Sequence, residues 1–300
     1  MMKPSITLFE VGPRDGLQNE SVFVPTKTKV NFIDLLSKTG VRHIEVTSFV
    51  SPKAIPQLAD NQAVFHAIHQ HKPIQYSALV PNEQGMHAAI EAGVKHIAVF
   101  TAASEQFNQR NIQCSIQESI ERIKPVIKMA KEKGISVRGY ISCVLGCPYE
   151  GTILPNQVIP VIDQLLALGV DSISLGDTIG VGTPKQTKAL LSAIQLTTRF
   201  TNIAMHFHDT YGQAIANICA SLECGITQFD SSVAGLGGCP YARGATGNVA
   251  TEDVLYLMHG LGLETGIDIY KMVQAGDMIC KAIGRKNQSK AANALLGNCA

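Results

Sequence analysis

Eight short apolar runs, each followed by a longer amphipathic stretch, dominate this chain and leave few folds open to it. The expected strands are 6–12, 43–49, 74–80, 96–102, 137–143, 172–177, 203–208 and 228–233. Their starts are spaced by about 32 residues on average, the size of a strand plus a crossover helix. Helical periodicity falls between them at 27–38, 60–70, 82–92, 116–133, 155–168, 184–199, 213–223 and 251–259. Gly40, Gly93, Gly134, Gly169 and Gly225 close five of these stretches, as helix C-caps do. Eight such units without a break in composition predict a (β/α)8 TIM barrel, whose usual core is ~250 residues. One domain would then span 1–300, with 263–300 left as a short C-terminal helical extension and its helix expected at 268–285. An open doubly wound sheet is the alternative, but no G-x-G-x-x-G turn follows the first strand.

Composition removes several functions. Only 16% of the 300 residues are charged, and 25 basic against 24 acidic side chains leave a net charge of +1. No basic cluster offers a nucleic-acid surface, and no apolar run approaches the ~18 residues that would span a bilayer. At 45% hydrophobic residues the chain can bury a core, so disorder is excluded as well. The periodic pattern begins by Ile6, with no room for a leader, and the tail Asn298-Cys299-Ala300 is no peroxisomal address. The expected location is cytoplasmic. Eight cysteines do not make a disulfide framework, and Cys143 and Cys147, with three residues between them, lack the spacing of a zinc pair. Both read as small buried hydrophobes.

Barrel chemistry takes place at the C-terminal ends of the strands, and the polar residues of this chain gather there. His206 and His208 project to one face of their strand, Met205 and Phe207 to the other. With Asp15 at the end of the neighbouring first strand, they form an open site for a catalytic divalent ion. The oxygen and imidazole mixture suits Mg²⁺ or Mn²⁺, with Zn²⁺ and Co²⁺ left open. Arg14 can stabilise a developing oxyanion or make a surface ion pair. Glu10 and Glu45 read as inward-facing acids that neutralise Arg14 or Arg138, Glu10 above all. Asp177 either orients a metal-ligating histidine or caps the next helix. The glycine-rich run 235–247 is a loop, and Cys239 within it is a candidate acid/base thiol.

Four segments, GPRDGLQNE (12–20), SLGDTIGVGTP (174–184), HFHDTYG (206–212) and GLGGCPYARGATGN (235–248), resemble the hydroxymethylglutaryl-CoA lyase family. The resemblance runs through essentially the whole chain. The Arg-Asp pair, H-x-H strand and G-D-T turn indicate the wider metal-dependent lyase/synthase barrels, while the Cys239 loop is similar to the lyases themselves. The family resemblance implies cleavage of 3-hydroxy-3-methylglutaryl-CoA to acetoacetate and acetyl-CoA, a step of leucine breakdown and ketone-body formation. It implies a cation, Mg²⁺ or Mn²⁺, on Asp15, His206, His208 and Asn248. Arg14 would face the substrate carbonyls and Cys239 would move a proton. Glu45 and Asp177 would support the site, and Gln18, Ser48, Tyr140 and Ser174 are candidates for substrate contact. Ser21 stands where many relatives carry Lys, which implies a different side to the acyl-CoA entrance. The expected partner is a small acyl-CoA molecule, with no nucleic acid and no membrane; a homo-oligomer is left open. A synthase or pyruvate-type aldolase on the same barrel, a non-catalytic acyl-CoA-binding protein, and a lyase for a related 3-hydroxyacyl-CoA are the rival readings.

Overall fold

Parallel neighbours can be joined only by a crossover, and every crossover in this chain carries a helix. The computed structural model describes residues 5–196, 200–238 and 247–297. In chain order the elements begin with β1 (Thr7–Glu10), a π-helical turn (Gly12–Gly16), α1 (Thr26–Leu36), β2 (His43–Ser48), α2 (Asn61–Ala67), β3 (Gln75–Leu79) and α3 (Glu83–Glu91). Then come β4 (His96–Ala102), α4 (Glu105–Ile112), α5 (Ile116–Glu132), β5 (Ser136–Ser142), a hairpin of β6 (Gly146–Cys147) and β7 (Gly151–Thr152), and α6 (Pro155–Ala167). The chain continues through β8 (Ser172–Asp177), α7 (Pro184–Gln195), β9 (Ile203–Phe207), α8 (Ala214–Glu223), β10 (Gln228–Ser231), α9 (Thr251–Gly260), α10 (Ile269–Ile283) and α11 (Lys290–Gly297). Strands β1, β2, β3, β4, β5, β8, β9 and β10 pair in parallel, and β10 returns to β1. The closed (β/α)8 barrel expected from the periodicity is present.

The helices form for local reasons. Helix α5 begins with a capping box in which Glu118 N donates to Ser115 Oγ at 3.1 Å and Ser115 N to Glu118 Oε2 at 2.7 Å. All five glycines expected to end helices have positive φ. At Gly93 and Gly134 an added Cβ would meet nothing within 4 Å, so backbone conformation alone calls for glycine there. Helix α4 and the hairpin have no counterpart in the expected pattern. Among its eight residues α4 buries only Phe107 and Asn108, so it shows no apolar period; its Ser104 cap accepts from Phe107 N at 3.0 Å.

Register decides what the barrel holds. Phe9 is paired with His43 and Asp230, His43 with Gln75, Ser77 with His96, Tyr140 with Ser174, and His206 with Gly176 and Asp230. Paired residues share a face, and Phe9, His43, Gln75, Ser77, His96, Arg138 and Tyr140 line a cavity of about 70 Å³. The interior is therefore polar, where barrels of this kind mostly pack branched aliphatics. The apolar core lies in the outer layer, where Leu8, Ile44, Val99, Ile141, Leu175, Met205 and Phe229 belong to one cluster with Phe32, Met86, Ile123 and Leu191 of the helices. Burying each such side chain fully contributes about 1.5–3 kcal/mol.

One expectation is overturned by this register. Glu10 lies on the face opposite Phe9, outside the barrel, and pairs with no arginine among the described residues. Its Oε1 accepts from Gly12 N and Val233 N at 2.9 Å each, and its Oε2 from Thr251 Oγ1 at 2.7 Å. The alternation Leu8-Phe9-Glu10 gives no apolar contrast between faces, which is why parity was ambiguous there.

Candidate metal centre and active site

The turn after β1 aims the two residues on which the site depends. Arg14, Asp15 and Gly16 all donate their backbone N–H groups to Val11 O, at 3.2, 2.8 and 3.1 Å. Such a tight turn packs closely: a Cβ on Gly16 would lie 2.8 Å from Leu236 Cβ and from Ser232 Oγ. Glu10 stitches the turn to Val233 beyond β10, so the ends of the first and last barrel strands are fixed together.

Asp15, His206 and His208 offer ligand atoms that all lie within 4.8 Å of one another. Asn248 joins them through an isolated antiparallel bridge to His208. Its Nδ2 donates to Asp15 Oδ2 at 2.9 Å and to Leu236 O at 3.1 Å. The amide's donors are thus engaged, while Oδ1 is buried without a hydrogen-bond partner, as is His208 Nδ1. Leaving such atoms buried and unpaired costs about 1–3 kcal/mol each. A carboxylate, two imidazoles and an amide oxygen facing one point fit a divalent cation, and the orphaned atoms are what such an ion would satisfy.

Electrostatics divide the site into an acidic pole and a cation. Arg14 Nη1 meets Asp15 Oδ1 and its Nε meets Glu45 Oε2, both at 2.6 Å. Burial opposes the charge on Arg14, yet the two carboxylates hold it firmly protonated. Burial likewise works against an ionised Asp15, but Arg14 and both histidines lower its pKa to about 2. Glu45 is pushed up by burial, and Asp15 and Asp230 nearby act in the same direction. Burial, reinforced by His206, lowers the pKa of His208 to about 4, which leaves it a neutral imidazole. His206 is raised, because the hydrogen bond and charge of Asp230 outweigh its burial.

The other candidates divide. Tyr140 is half-buried beneath two guanidinium groups, Arg14 at 5.4 Å and Arg138 at 5.6 Å from its ring centre. Gln18 is half-buried near the Arg14 turn, with Oε1 lacking a partner. Ser48 is fully buried and its Oγ accepts from Val50 N at 3.2 Å. Ser174 is buried too, and its hydroxyl donates to Asp230 Oδ2 at 2.6 Å rather than facing the mouth. Asp177 bonds to neither histidine ring. Its carboxylate accepts from Val181 N at 3.2 Å and Gly182 N at 2.9 Å, folding the loop after β8. Burial raises its pKa to about 6. The histidine partner is Asp230, which the sequence reading passed over; it sits opposite His206 in the register of β10 on β9, a pairing that no local sequence pattern gives. Cys239 lies outside the described residues. Its neighbours at 237–238 are tethered: Asn19 Nδ2 donates to Gly238 O at 3.1 Å, and Arg285, paired with Glu20, donates to Gly235 O at 3.1 Å and Gly237 O at 3.4 Å.

The HMGL-like family model matches residues 5–279. A Pseudomonas aeruginosa protein named 3-hydroxy-3-isohexenylglutaryl-CoA/hydroxy-methylglutaryl-CoA lyase is 56% identical over 97% of this chain and 97% of its own. The crystal structure of a hydroxymethylglutaryl-CoA lyase from Pseudomonas aeruginosa superposes with a TM-score of 0.97 at 55% identity, covering 99% of this chain and 100% of that one. An HMG-CoA lyase from A. baumannii, in complex with coenzyme A and 3-methylmalate, gives 0.92 at 36% identity over 97% of this chain and 95% of that one.

Proposed function

The chain belongs to the HMGL-like family, and from that membership we propose that it cleaves 3-hydroxy-3-methylglutaryl-CoA to acetoacetate and acetyl-CoA by metal-dependent retro-Claisen chemistry. The observation that carries this reading is the meeting of Arg14 with Asp15, His206, His208 and Asn248, whose amide Oδ1 is buried and unpaired. The relative solved with coenzyme A supports an acyl-CoA substrate.

In the reaction the tertiary hydroxyl gives its proton to solvent water, the O–H electron pair becomes the new carbonyl bond, and the carbon–carbon bond breaks with its electrons leaving as the enolate of acetyl-CoA. Asp15, His206, His208 and Asn248 would hold Mg²⁺ or Mn²⁺, which supplies Lewis acidity toward the hydroxyl and carboxylate oxygens of the substrate. Arg14 binds the thioester oxygen and stabilises the negative charge that develops on it. Glu45 holds that guanidinium in place, and a fixed donor of this kind is worth ~10²–10³ in rate. Tyr140 walls the site behind Arg14. Cys239 gives a proton to the enolate carbon before it can return to the ketone. Asp177 shapes the loop beside the histidines.

A longer substituent on the hydroxyl-bearing carbon is the second reading, favoured by the name of the 56% identical relative. Leucine breakdown and ketone-body formation are the processes this activity would serve. None of the six described cysteines is in a disulfide, which supports residence in the reducing cytoplasm. No helix among the described residues is long and apolar enough to cross a membrane. The test is incubation with hydroxymethylglutaryl-CoA and with its isohexenyl analogue, each with Mg²⁺ or Mn²⁺. Acetoacetate and acetyl-CoA in equal amounts are expected from the first, and neither product from either substrate would sink the assignment.

A further inference from the structure

The two histidines of the centre are not equivalent. Asp230, on β10 and 2% exposed, accepts at Oδ2 from Ser174 Oγ at 2.6 Å and lies 3.2 Å from His206 Nδ1. Its Oδ1 accepts from Arg138 Nη2 at 2.6 Å. Arg138 is pinned in turn, with its guanidinium carbon 3.6 Å from the Phe9 ring centre. His208 has no such support at Nδ1, which is buried and without a partner. An ionised carboxylate can only accept, so the bond from His206 requires the proton on Nδ1. Nε2 is then the bare lone pair of that ring.

We propose that Asp230 is the positioning residue of the metal centre: it selects the Nδ1–H tautomer of His206 and fixes the ring so that Nε2 is presented as the ligand atom. This rests on the metal reading above. Ser174 and Arg138 act one step further back, each holding one oxygen of the carboxylate so that it cannot rotate away. The function of Ser174 is therefore to anchor Asp230, not to touch substrate. Arg138 joins the polar barrel interior to the site above it. An aspartate present merely to balance Arg138 would need only Oδ1; the bonds at Oδ2 are what distinguish positioning from neutralisation. Outer carboxylates that orient ligating histidines typically change metal affinity or activity by ~10–100-fold when removed.

The test combines a variant with a measurement that needs none. Imidazole ¹⁵N–¹H correlation spectra of the Mg²⁺-loaded wild-type protein should show His206 protonated at Nδ1 and unprotonated at Nε2. In Asp230→Asn the dissociation constant for Mn²⁺, read by electron paramagnetic resonance, should rise about 10–100-fold. At saturating Mn²⁺ its KM for the acyl-CoA should stay within about threefold of wild type, because substrate contacts are intact. Ser174→Ala, a milder change, should weaken Mn²⁺ binding by a few-fold in the same direction. A proton on Nε2 of wild-type His206 overturns the proposal even if Asp230→Asn fails to fold. So does unchanged Mn²⁺ affinity in a folded Asp230→Asn protein. Wild-type protein that binds no Mn²⁺ at all overturns the metal reading itself, an outcome distinct from either.

Discussion

Arg14 donates from Nε to Glu45 Oε2 at 2.6 Å, joining the turn after β1 to the second barrel strand beneath it. Both groups are buried, so the guanidinium has one orientation and its charge is not shared with bulk water. Arg14→Gln should lower kcat by about 10²-fold or more, as expected for loss of a principal enolate partner. Its Mn²⁺ affinity should change by no more than a few-fold, since Asp15 keeps its bond from Asn248. Steady-state kinetics beside a metal titration separate the two quantities. A kcat within a few-fold of wild type would reduce Arg14 to a structural cation.

Metal removal should be reversible and specific. Prolonged chelation is expected to abolish turnover, and Mg²⁺ or Mn²⁺ to restore it. Asn248→Ala deletes the orphaned amide oxygen together with the bond to Asp15, so Mn²⁺ should bind at least about tenfold more weakly. His206→Ala should lose more, because it removes a ligand and leaves Asp230 without the imidazole. Full activity in protein shown by elemental analysis to be metal-free would refute the centre.

The fold was readable because strand and helix periods differ and eight repeats leave little freedom. The histidine pair was readable for a related reason: Met205 and Phe207 mark the opposite face of β9 as apolar. Parity misled where both faces are apolar, as at Leu8 and Phe9, and Glu10 was assigned to the wrong side of β1. Asp230 went unread because its link to His206 depends on how β10 pairs with β9, which no local pattern in the sequence shows. Asp177 and Asp230 have similar sequence settings, each near the end of a strand, and only three-dimensional register shows which one reaches a histidine. Helix α4 was missed because it buries only the adjacent Phe107 and Asn108, and a helix without a buried stripe leaves no period to detect.

Two carboxyl groups outside the site set a pH dependence of stability. Glu252 accepts from Ala234 N through both oxygens, at 3.0 and 2.9 Å, and burial raises its pKa to about 8. Glu10 and Asp253 add like charge, and Cys280 on α10 is its other titratable neighbour. Glu10 is raised by burial to about 7. A carboxyl with a raised folded pKa keeps its proton after the unfolded chain has released it. Its contribution is complete below the ordinary value of 4.5 and is lost as pH rises through about 7 to 8. Wild-type Tm should therefore fall between pH 5 and 8 by several degrees, and Glu252→Gln, which cannot ionise, should flatten much of that slope. A difference in Tm between variant and wild type that does not grow with pH would show that Glu252 is ionised throughout.

In the proposed reaction the proton-transfer step falls to Cys239. Gly237, Gly238 and Pro240 surround it in sequence with little side-chain mass for binding substrate, so a role there has to come from the thiol. Cys239→Ala should fold, bind Mn²⁺ and bind acyl-CoA almost as wild type, yet turn over very slowly, because the enolate left without its acid returns to the ketone. Serine keeps the size but raises the pKa far above the ~8.5 of a thiol, so Cys239→Ser should recover little. Cys143 and Cys147 provide the control: they are 0% and 3% exposed, and Ser104 Oγ lies 3.0 Å from Cys147 Sγ. Substituting either should alter stability more than kcat, and neither should account for inactivation by a thiol alkylator in the folded protein. Alkylation should instead map to Cys239 and slow when acyl-CoA is bound. Near-normal kcat in Cys239→Ala would return the proton transfer to a histidine of the metal centre or to water.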